Sequence, residues 1–400
     1  MRILVIADYR YPLREPLRGG LETHVWTLVR ELERRGHLVT LAAKSGSDFL
    51  ENSPPELIYD DLAWPPGARR SDSSLPPEIE DHQRASLEAV IDYLADHPSQ
   101  FDVVHNHAVS ALPLSRAAAL DVPVFTTLHT PPRLDLVNTI DPAQRGRVFT
   151  VSGYAQESWA NAGVDTTVVM NGADATVWPL GPGGDRLCWF GRLVPEKYPH
   201  VAVDVANRLG AKLTLMGPVG DPDYFADYVA PAIARSHGRV EYLGCLSQRE
   251  TATVVGGSAA ALVTPMWNEP FGQVVIESLF CGTPVVALDR GAFSKLYHSV
   301  PGVTLVPTAM SDDEQLEAMA SAARDVLRAG GERAGTAARR RLREYAVSHF
   351  SVSSVADTLL GHFAAVVRDP ERFGSVWEGR AMVDEDVMAS TTSARTGAAG

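Results

Sequence analysis

The feature that most constrains the fold is a repeated alternation of short apolar strands with helical segments. The chain opens on the apolar run RILVIA, continues with the helically periodic LETHVWTLVRELERRG, and returns to a second apolar run, HLVTLAA. Continuous apolar strands joined by a helix are typical of a parallel sheet with both faces covered. The first forty residues therefore predict an α/β fold of the doubly wound type.

The alternation is made twice along the chain. After the strands DVVHNH, PVFTTLH and RVFTVS comes a stretch rich in Gly and Pro, and RLCWFG then starts the pattern again. We predict two Rossmann-like domains facing a cleft, with ligands at the carboxyl ends of the strands. The expected division is a first domain at 1–168, a linker at 169–185, a second domain at 186–350, a crossover helix at 351–368 and a disordered tail at 371–400.

Composition narrows the class of partner. The formal net charge of −13 argues against nucleic acid, because binding phosphate backbones requires a basic surface. No apolar stretch is long enough for a membrane span, and the opening strand lacks the pattern of a signal peptide. Cys188, Cys245 and Cys281 lie in apolar surroundings without a CxxC pair, which predicts reduced thiols of a cytoplasmic protein.

Two segments at predicted strand ends carry groups suited to phosphate. Gly19 and Gly20 lead into the first helix, where backbone amides and the helix dipole favour an anion, although a plain turn would look the same. Arg192 and Lys197, in GRLVPEK, follow the first strand of the second half. Two cations across one loop can clamp a diphosphate, and as isolated charges they are also compatible with a solvated surface.

A third segment, WNEPFGQVVIESLFCGTPVV, holds two spaced carboxylates. Glu269 precedes a helix expected to begin near Phe271, and Glu277 lies within that helix about 12 Å further along. This separation is too large for a paired acid and base acting on one bond, but it suits two ends of an extended ligand. The alternative, an exposed helical Glu277, fits poorly with its apolar neighbours.

Histidines also stand at predicted strand ends. His129, in TTLHT, is expected to face the cleft. We place His105 and His107, in DVVHNH, on opposite faces of their strand, so that only one can face a given site. We find no carboxylate or histidine cluster at a strand end suited to a metal ion, and no GxSxG or Cys/His set for a nucleophile. The sequence predicts no metal and no cofactor.

An ordered series of motifs resembles the retaining family-4 glycosyltransferases of the GT-B fold, the glycosyltransferase group 1 type. The matching segments, covering roughly residues 1–310, are GGLETHV, FDVVHNH, FTTLHT, TVSGYA, VMNGAD, WFGRLVPEK, VEYLGCLS and EPFGQVVIESLFCGTPVVA. The resemblance implies transfer of a hexose from a nucleotide-sugar, most commonly a UDP-sugar, to a small hydroxyl acceptor with retention of configuration. It also implies that FSVSSVADTLLGHF is a terminal helix crossing back to the first domain.

The resemblance implies roles for individual residues. His129, Glu269, Arg192 and Lys197 would serve catalysis: the two cations neutralise the leaving diphosphate, Glu269 binds hydroxyls of the transferred sugar, and His129 lies beside that sugar. The other donor contacts would be the amides of Gly20, Phe271 and Gly272, the ribose-binding carboxylate of Glu277, and Leu243 and Leu246 beside the base. The family generally needs no metal.

Some questions stay open at this stage. Lys295 stands where the family often has a glutamate, which leaves the contacts of that loop undefined. The acceptor, the sugar and the base (uracil, guanine or adenine) are not readable from the sequence, and neither is the oligomeric state. Two other functions are considered: a nucleotide-sugar 2-epimerase, and a non-catalytic partner that binds sugar nucleotides.

Overall fold

The structure is a computed structural model, and it describes residues 1–65, 75–141, 144, 146–331 and 336–368. The first domain is built on a seven-stranded sheet in the order β3-β2-β1-β4-β5-β6-β7, and neighbouring strands pair in parallel. Its strands are β1 (Arg2–Ile6), β2 (Leu38–Lys44), β3 (Ile58–Tyr59), β4 (Val103–Asn106), β5 (Val124–Leu128), β6 (Val148–Thr150) and β7 (Thr167–Val168).

The second domain repeats this arrangement with a six-stranded parallel sheet. The order is β10-β9-β8-β11-β12-β13, which is again a doubly wound order in which the first strand lies inside the sheet. The strands are β8 (Leu187–Phe190), β9 (Leu213–Met216), β10 (Val240–Tyr242), β11 (Ala260–Val263), β12 (Val285–Leu288) and β13 (Val303–Val306). The predicted fold class, two doubly wound Rossmann-like domains, is confirmed.

Helices cover both sheets. Those of the first domain are α1 (Gly20–Arg34), α2 (Pro77–Asp96), α3 (Ala111–Arg116), α4 (Leu134–Val137) and α5 (Gly153–Asn161). The second sheet is followed or flanked by α6 (Pro199–Leu209), α7 (Pro222–Tyr224), α8 (Ala230–Ala234), α9 (Gln248–Gly256), α10 (Gln273–Phe280), α11 (Phe293–Leu296), α12 (Asp312–Gly331) and α13 (Thr336–Phe350). In the described part of the chain, no helix has the length and apolar character that a membrane span requires.

The richness of Asp48–Pro77 in Pro, Asp and Ser predicts an irregular excursion, followed by a helix at Ser86–Asp96, and two elements differ from this prediction. The stretch expected to be an irregular excursion contains the short strand β3, which extends the sheet at its edge beside β2. Helix α2 begins at Pro77 rather than at Ser86, because proline is well suited to the first turn and Glu78 and Glu80 add favourable charge there.

Two arginines of α13 hold the segment that connects the two domains, residues 169–185, against the second domain. Arg339 is buried and donates hydrogen bonds to the carbonyl oxygens of Gly181 at 3.2 Å and Gly256 at 2.8 Å. Arg343 donates to the carbonyl oxygen of Ala175 at 2.8 Å. A buried guanidinium must satisfy its donors, so these arginines fix the path of the segment.

The chain passes between the domains twice, and the two passages lie side by side. Ala173 forms a parallel bridge with Ser351, with Val352 donating its amide to the Ala173 carbonyl oxygen at 3.0 Å. A Cβ atom at position 172 would lie 2.8 Å from the backbone of Val352, so only glycine fits there. The two passages therefore form one paired connection.

The last described helix, α14 (Val352–Arg368), returns to the first domain. Its apolar residues Val355, Leu359 and Phe363 belong to the same buried cluster as the residues of β1 and α1. The Phe363 ring lies 4.8 Å from that of Phe125 in the sheet. The predicted crossover helix is confirmed, and it closes one face of the first sheet.

We expect Phe363→Ala to destabilise the first domain by about 3–5 kcal/mol, because it removes a fully buried aromatic ring from that cluster. Val367→Ala is the matched control in the same helix; its side chain is 40% exposed, and the change should cost no more than about 0.5 kcal/mol. Urea unfolding followed by circular dichroism measures both. Equal midpoints for the two variants would contradict the packing described.

Candidate functional site

A cleft of about 830 Å³ lies between the two domains. The segments that follow β1, β5, β8 and β11 all contribute to its walls, through Asp8, His129, Arg192 and Thr264 among others. In each sheet the strand order reverses next to the first strand, and the crevice outside the carboxyl ends at such a point is the usual ligand site. Its volume is in the range of small-molecule and cofactor sites.

Most of the residues predicted to bind a donor come together in this cleft. Those that line it are Gly20, His129, Arg192, Lys197, Leu246, Glu269, Phe271, Gly272 and Glu277. Leu243 does not line it; its side chain is exposed, because the strand that precedes it ends at Tyr242 near the edge of the sheet.

Lys197, Glu269 and Trp267 form a compact group on the wall of the second domain. Lys197 Nζ lies 2.6 Å from Glu269 Oε2 and 4.9 Å from the centre of the Trp267 ring. The Trp267 indole N–H donates to the same Glu269 oxygen at 2.8 Å. The cation is therefore oriented by a carboxylate and a ring face. Trp267 was not predicted from the sequence, although its place two residues before Glu269 was available as a signal.

The turn before α10 has a backbone that only glycine can adopt. Gly272 is the N-cap residue with φ at +89°, and a Cβ atom there would lie 2.4 Å from the Phe293 ring. The helix starts at Gln273, two residues after Phe271, close to the predicted start. Because the first amides of a helix generally lack partners within the helix, a turn of this kind at the wall of the cleft suits an anionic ligand.

Glu277 is a buried carboxyl group in the floor of the cleft. Its side chain is 5% exposed, and burial raises its pKa from 4.5 to about 8, while a hydrogen bond from Gln273 acts in the opposite direction. Gln273 also donates to the carbonyl oxygen of Gly172 in the connecting segment at 3.1 Å. The group is thus held mainly protonated near neutral pH, with Gln273 as a hydrogen-bond partner at the edge of the cleft.

The amino-terminal end of α1 faces this wall from the first domain. Gly19 is the N-cap residue and Gly20 begins the helix. A Cβ atom at position 19 would lie 2.5 Å from Glu22 Oε2 and 3.6 Å from Arg192 Nε, so the glycine allows these groups of the two domains to approach closely. A second contact between the domains joins the Ser152 hydroxyl, as donor, to the Pro270 carbonyl oxygen at 2.6 Å.

The placement of the histidines corrects the expectation from the sequence. His105 and His107 do not lie on opposite sides: their rings are 4.0 Å apart, and His105 Nδ1 lies 3.1 Å from His107 Nε2. The expectation was wrong because residues two apart in a strand share a face. His107 Nδ1 in turn lies 2.9 Å from Nε2 of His129, and His24 of α1 lies against both.

Lys295, whose contacts the sequence does not define, lies outside the cleft. It forms an ion pair with Glu157 of α5, which joins the two domains at the surface. The Asp-x-Asp sequence at 221–223 follows β9. Its Asp221 caps α7 by accepting from the Tyr224 amide at 3.0 Å, and neither Asp221 nor Asp223 lines the cleft. Within the described ranges, no three His, Cys, Asp or Glu residues are placed to hold a metal ion.

Two family models match the chain in succession. Residues 18–177 match the model described as Glycosyltransferase Family 4, and residues 184–329 match the model described as Glycosyl transferases group 1. The chain belongs to the family-4, group 1 glycosyltransferases. The predicted family membership is confirmed.

Similar proteins extend over nearly the whole chain. The glycogen synthase of Mycobacterium tuberculosis is 26% identical, over 92% of this chain and 95% of its own. The D-inositol 3-phosphate glycosyltransferase of Mycobacteroides abscessus is 27% identical, over 95% and 93%. The crystal structure of Anabaena HepE in complex with UDP-glucose aligns with a TM-score of 0.66 and 18% identity, over 91% of this chain and 100% of that one. The last likeness shows the GT-B fold.

The raised pKa of Glu277 predicts how the stability of this glycosyltransferase depends on pH. Below pH 4.5 the carboxyl group is protonated in both folded and unfolded states. Between pH 4.5 and 8 the unfolded chain releases the proton while the folded protein retains it, so stability falls as pH rises, by at most about 1.4 kcal/mol per pH unit. Glu277→Gln cannot ionise, so the stability of this variant relative to the wild type should increase from pH 5 to pH 8.

Urea unfolding at pH 5, 6.5 and 8 measures this difference. Glu88→Gln, at an exposed position of α2, is the control, and its difference from the wild type should stay small. A constant difference between Glu277→Gln and the wild type at all three pH values would contradict the buried, protonated state of Glu277.

Proposed function

We propose that this glycosyltransferase transfers a hexose from a nucleotide-sugar to a small hydroxyl acceptor with retention of the anomeric configuration. The observation that carries the proposal is the convergence of Arg192, Lys197 and Glu269 on one wall of the cleft, facing the amino-terminal end of α1. Two cations and a helix terminus suit a diphosphate, while a carboxylate suits sugar hydroxyls.

The ion pair between Lys197 and Glu269 supports a specific order of contacts. Before the donor binds, Glu269 neutralises Lys197. A diphosphate carries the stronger charge, and when it takes up Lys197 it leaves the Glu269 carboxylate to accept hydrogen bonds from the sugar. The Trp267 indole N–H remains beside that carboxylate and limits its movement. The same exchange couples binding of the phosphates to binding of the sugar.

Glu277 is suited to the nucleoside end of the donor. Among the described residues Glu277 has no cationic hydrogen-bond partner, and such a buried carboxyl group can accept from, or share a proton with, a pair of ribose hydroxyls. Leu246 supplies an apolar surface for the base on the same side of the cleft. The Anabaena relative binds UDP-glucose, which supports UDP as the nucleotide.

Front-face transfer is the mechanism that these groups support. The bond from the anomeric carbon to the phosphate oxygen breaks, and the acceptor oxygen bonds to the same face of the sugar. The departing diphosphate oxygen takes the acceptor's proton, so no protein nucleophile is needed. Arg192 and Lys197 stabilise the charge that develops on the diphosphate, which is the main contribution of the protein besides positioning.

An inverting reaction would need a base on the opposite face, and Asp8 is the carboxylate at the end of β1. Its Oδ1 accepts from the Val109 amide at 2.9 Å and its Oδ2 from the Arg10 amide at 3.1 Å. Both oxygens are therefore tied to the wall of the cleft. These bonds fix the position of Asp8 and leave each oxygen a further lone pair; the retaining mechanism is proposed because it needs no such base.

The two other functions predict different outcomes when the protein is incubated with a panel of nucleotide-sugars. A 2-epimerase would change the sugar while it is still attached to the nucleotide or release the free nucleotide without an acceptor product, and a non-catalytic partner would bind without turnover. The acceptor is proposed only as a small hydroxyl compound or glycoside, since the similar proteins are named for different ones.

We expect Arg192→Ala and Lys197→Ala each to lower kcat by about two to three orders of magnitude, the scale for removing a preorganised charge stabiliser. Lys212→Ala is the control, because Lys212 forms a surface ion pair with Asp185 away from the cleft. Steady-state kinetics with a nucleotide-sugar that the wild type uses as a substrate give kcat for all three variants. Wild-type rates in both cleft variants would remove the proposed diphosphate site.

We also expect retention without a divalent metal. Arg192 and Lys197 supply about two positive charges at the diphosphate, so activity should persist in saturating chelator. An α-linked donor should give an α-linked product, identified by the proton NMR signal of the anomeric position. A β-linked product would overturn the front-face mechanism, and loss of activity in chelator that returns with Mg²⁺ or Mn²⁺ would overturn the metal-free one.

A further inference from the structure

A continuous line of hydrogen bonds runs from the interior of the first domain to the cleft. The Thr127 hydroxyl of β5 lies 2.8 Å from His105 Nε2. His105 Nδ1 lies 3.1 Å from His107 Nε2, and His107 Nδ1 lies 2.9 Å from His129 Nε2. His129 lines the cleft. Of its two ring nitrogens, Nδ1 is therefore the one left to contact a ligand.

All three rings are uncharged at neutral pH. Burial lowers the pKa of His105 to about 3, and burial together with the neighbouring histidines lowers the pKa of His107 and His129 well below 6.5. His105 lies between the rings of Phe149 and Phe363, at 6.4 Å and 5.4 Å, which exclude water from that end. Burial likewise lowers the pKa of His24, to about 4.

The protons of this line depend on one another. A neutral imidazole has one N–H donor and one acceptor nitrogen. If His129 accepts at Nε2, then His107 carries its proton on Nδ1 and accepts at Nε2, and His105 does the same. If donor and acceptor are exchanged in one of these hydrogen bonds, they must be exchanged in all of them. The whole line therefore has two possible directions, and one end decides between them.

Thr127 is that end. In one direction its hydroxyl donates to His105 Nε2, every buried donor in the line has an acceptor, and the His129 Nδ1–H is the donor at the cleft. In the other direction the hydroxyl accepts, and its own proton is buried without an acceptor, because Thr127 has no further hydrogen-bond partner among the described residues. Burying an unpaired donor is unfavourable, so the first direction is favoured.

We propose that Thr127, His105 and His107 are positioning residues that hold His129 uncharged, with its proton on Nδ1 and directed to the ligand. In water the neutral histidine ring prefers the proton on Nε2, so this arrangement is imposed by the line of hydrogen bonds rather than by the ring itself. The tautomer is a property of the free protein. Its use in catalysis rests on the proposed function.

The consequence for the reaction is twofold. His129 offers a hydrogen-bond donor to a hydroxyl or ring oxygen of the transferred sugar. It also brings no positive charge near the anomeric carbon, which itself becomes positive as the bond to the phosphate lengthens. A cationic ring at this place would oppose that change, and a ring with a free basic nitrogen would draw the acceptor's proton away from the diphosphate.

The neighbouring His24 does not form a metal site with these rings, since no three such ligands are suitably placed among the residues that the structure describes. Its Nδ1 is buried with no hydrogen-bond partner among them, and its ring packs 5.7 Å from that of His107 and 5.6 Å from that of His129. His24 thus limits the tilt of both rings by contact alone.

The tautomer can be measured directly in the free enzyme at pH 7.5. Heteronuclear NMR of ¹⁵N-histidine-labelled protein separates a protonated ring nitrogen from an unprotonated one, and His129→Asn identifies the signals of His129. We expect Nδ1 of His129 to be protonated and Nε2 to be unprotonated. A proton on Nε2 alone, or on both nitrogens, would overturn the proposal.

A matched pair of substitutions tests the positioning role. In His107→Asn the side-chain amide lies where ring Nδ1 was and can still donate to His129, so the tautomer and kcat should be close to the wild type. His107→Leu has a similar shape but no donor. It should move the His129 proton toward Nε2 and lower kcat by up to about 100-fold, with a smaller change in KM for the donor.

His298→Leu, at an exposed position of the second domain, is the control for the leucine change. An unchanged His129 tautomer in His107→Leu, or its loss in a folded His107→Asn, would overturn the positioning role. If His107→Leu does not fold, the wild-type spectrum still decides the direction of the line. If instead no nucleotide-sugar is turned over, the proposed function fails while the spectrum stands on its own.

Discussion

A parallel sheet buried on both faces imposes the main constraint on this protein. Each strand must be followed by a crossover that returns the chain to the same edge, so all strands of a sheet end on one side. Because both domains obey this rule and turn their carboxyl edges toward each other, side chains far apart in sequence, such as His129 and Arg192, line one cleft. The chemistry of the site depends on this arrangement more than on any single residue.

The cleft also shows how buried charge is managed when no ligand is present. Lys197 is neutralised by Glu269, and Glu277 avoids its charge by retaining a proton. Asp8 is held by two backbone amides. Each group has a partner within the protein, and the free energy of binding a ligand here would be the difference between these partners and those that the ligand offers. Local partners of this kind allow two cations to line one cleft in a chain with a net charge of −13.

The sequence was sufficient to predict the two doubly wound domains, the family and the crossover helix, because all three depend on repeated apolar patterns and on ordered motifs. It failed where tertiary context decides the outcome. Strand β3 has only two residues, too few for a periodic signal, and it exists because β2 offers an edge to pair with. Alternate residues of a strand share a face, so the proximity of His105 and His107 was predictable, but the rule was misapplied. The contact of His107 with His24 was not, since it joins a helix to a strand about 80 residues away.

The paired passage between the domains has a consequence for how the enzyme moves. The two passages are bonded to each other at Ala173 and Ser351, and there is no room for a side chain at Gly172. They therefore form one two-stranded connection. The arginines of α13 hold one end of this connection against the second domain, and α14 packs the other end against the first. A doubled connection of this kind restricts sliding and twisting of the two domains more than a single strand of backbone would. The two walls of the cleft are therefore held in a more constrained relation to each other than a single linker would give.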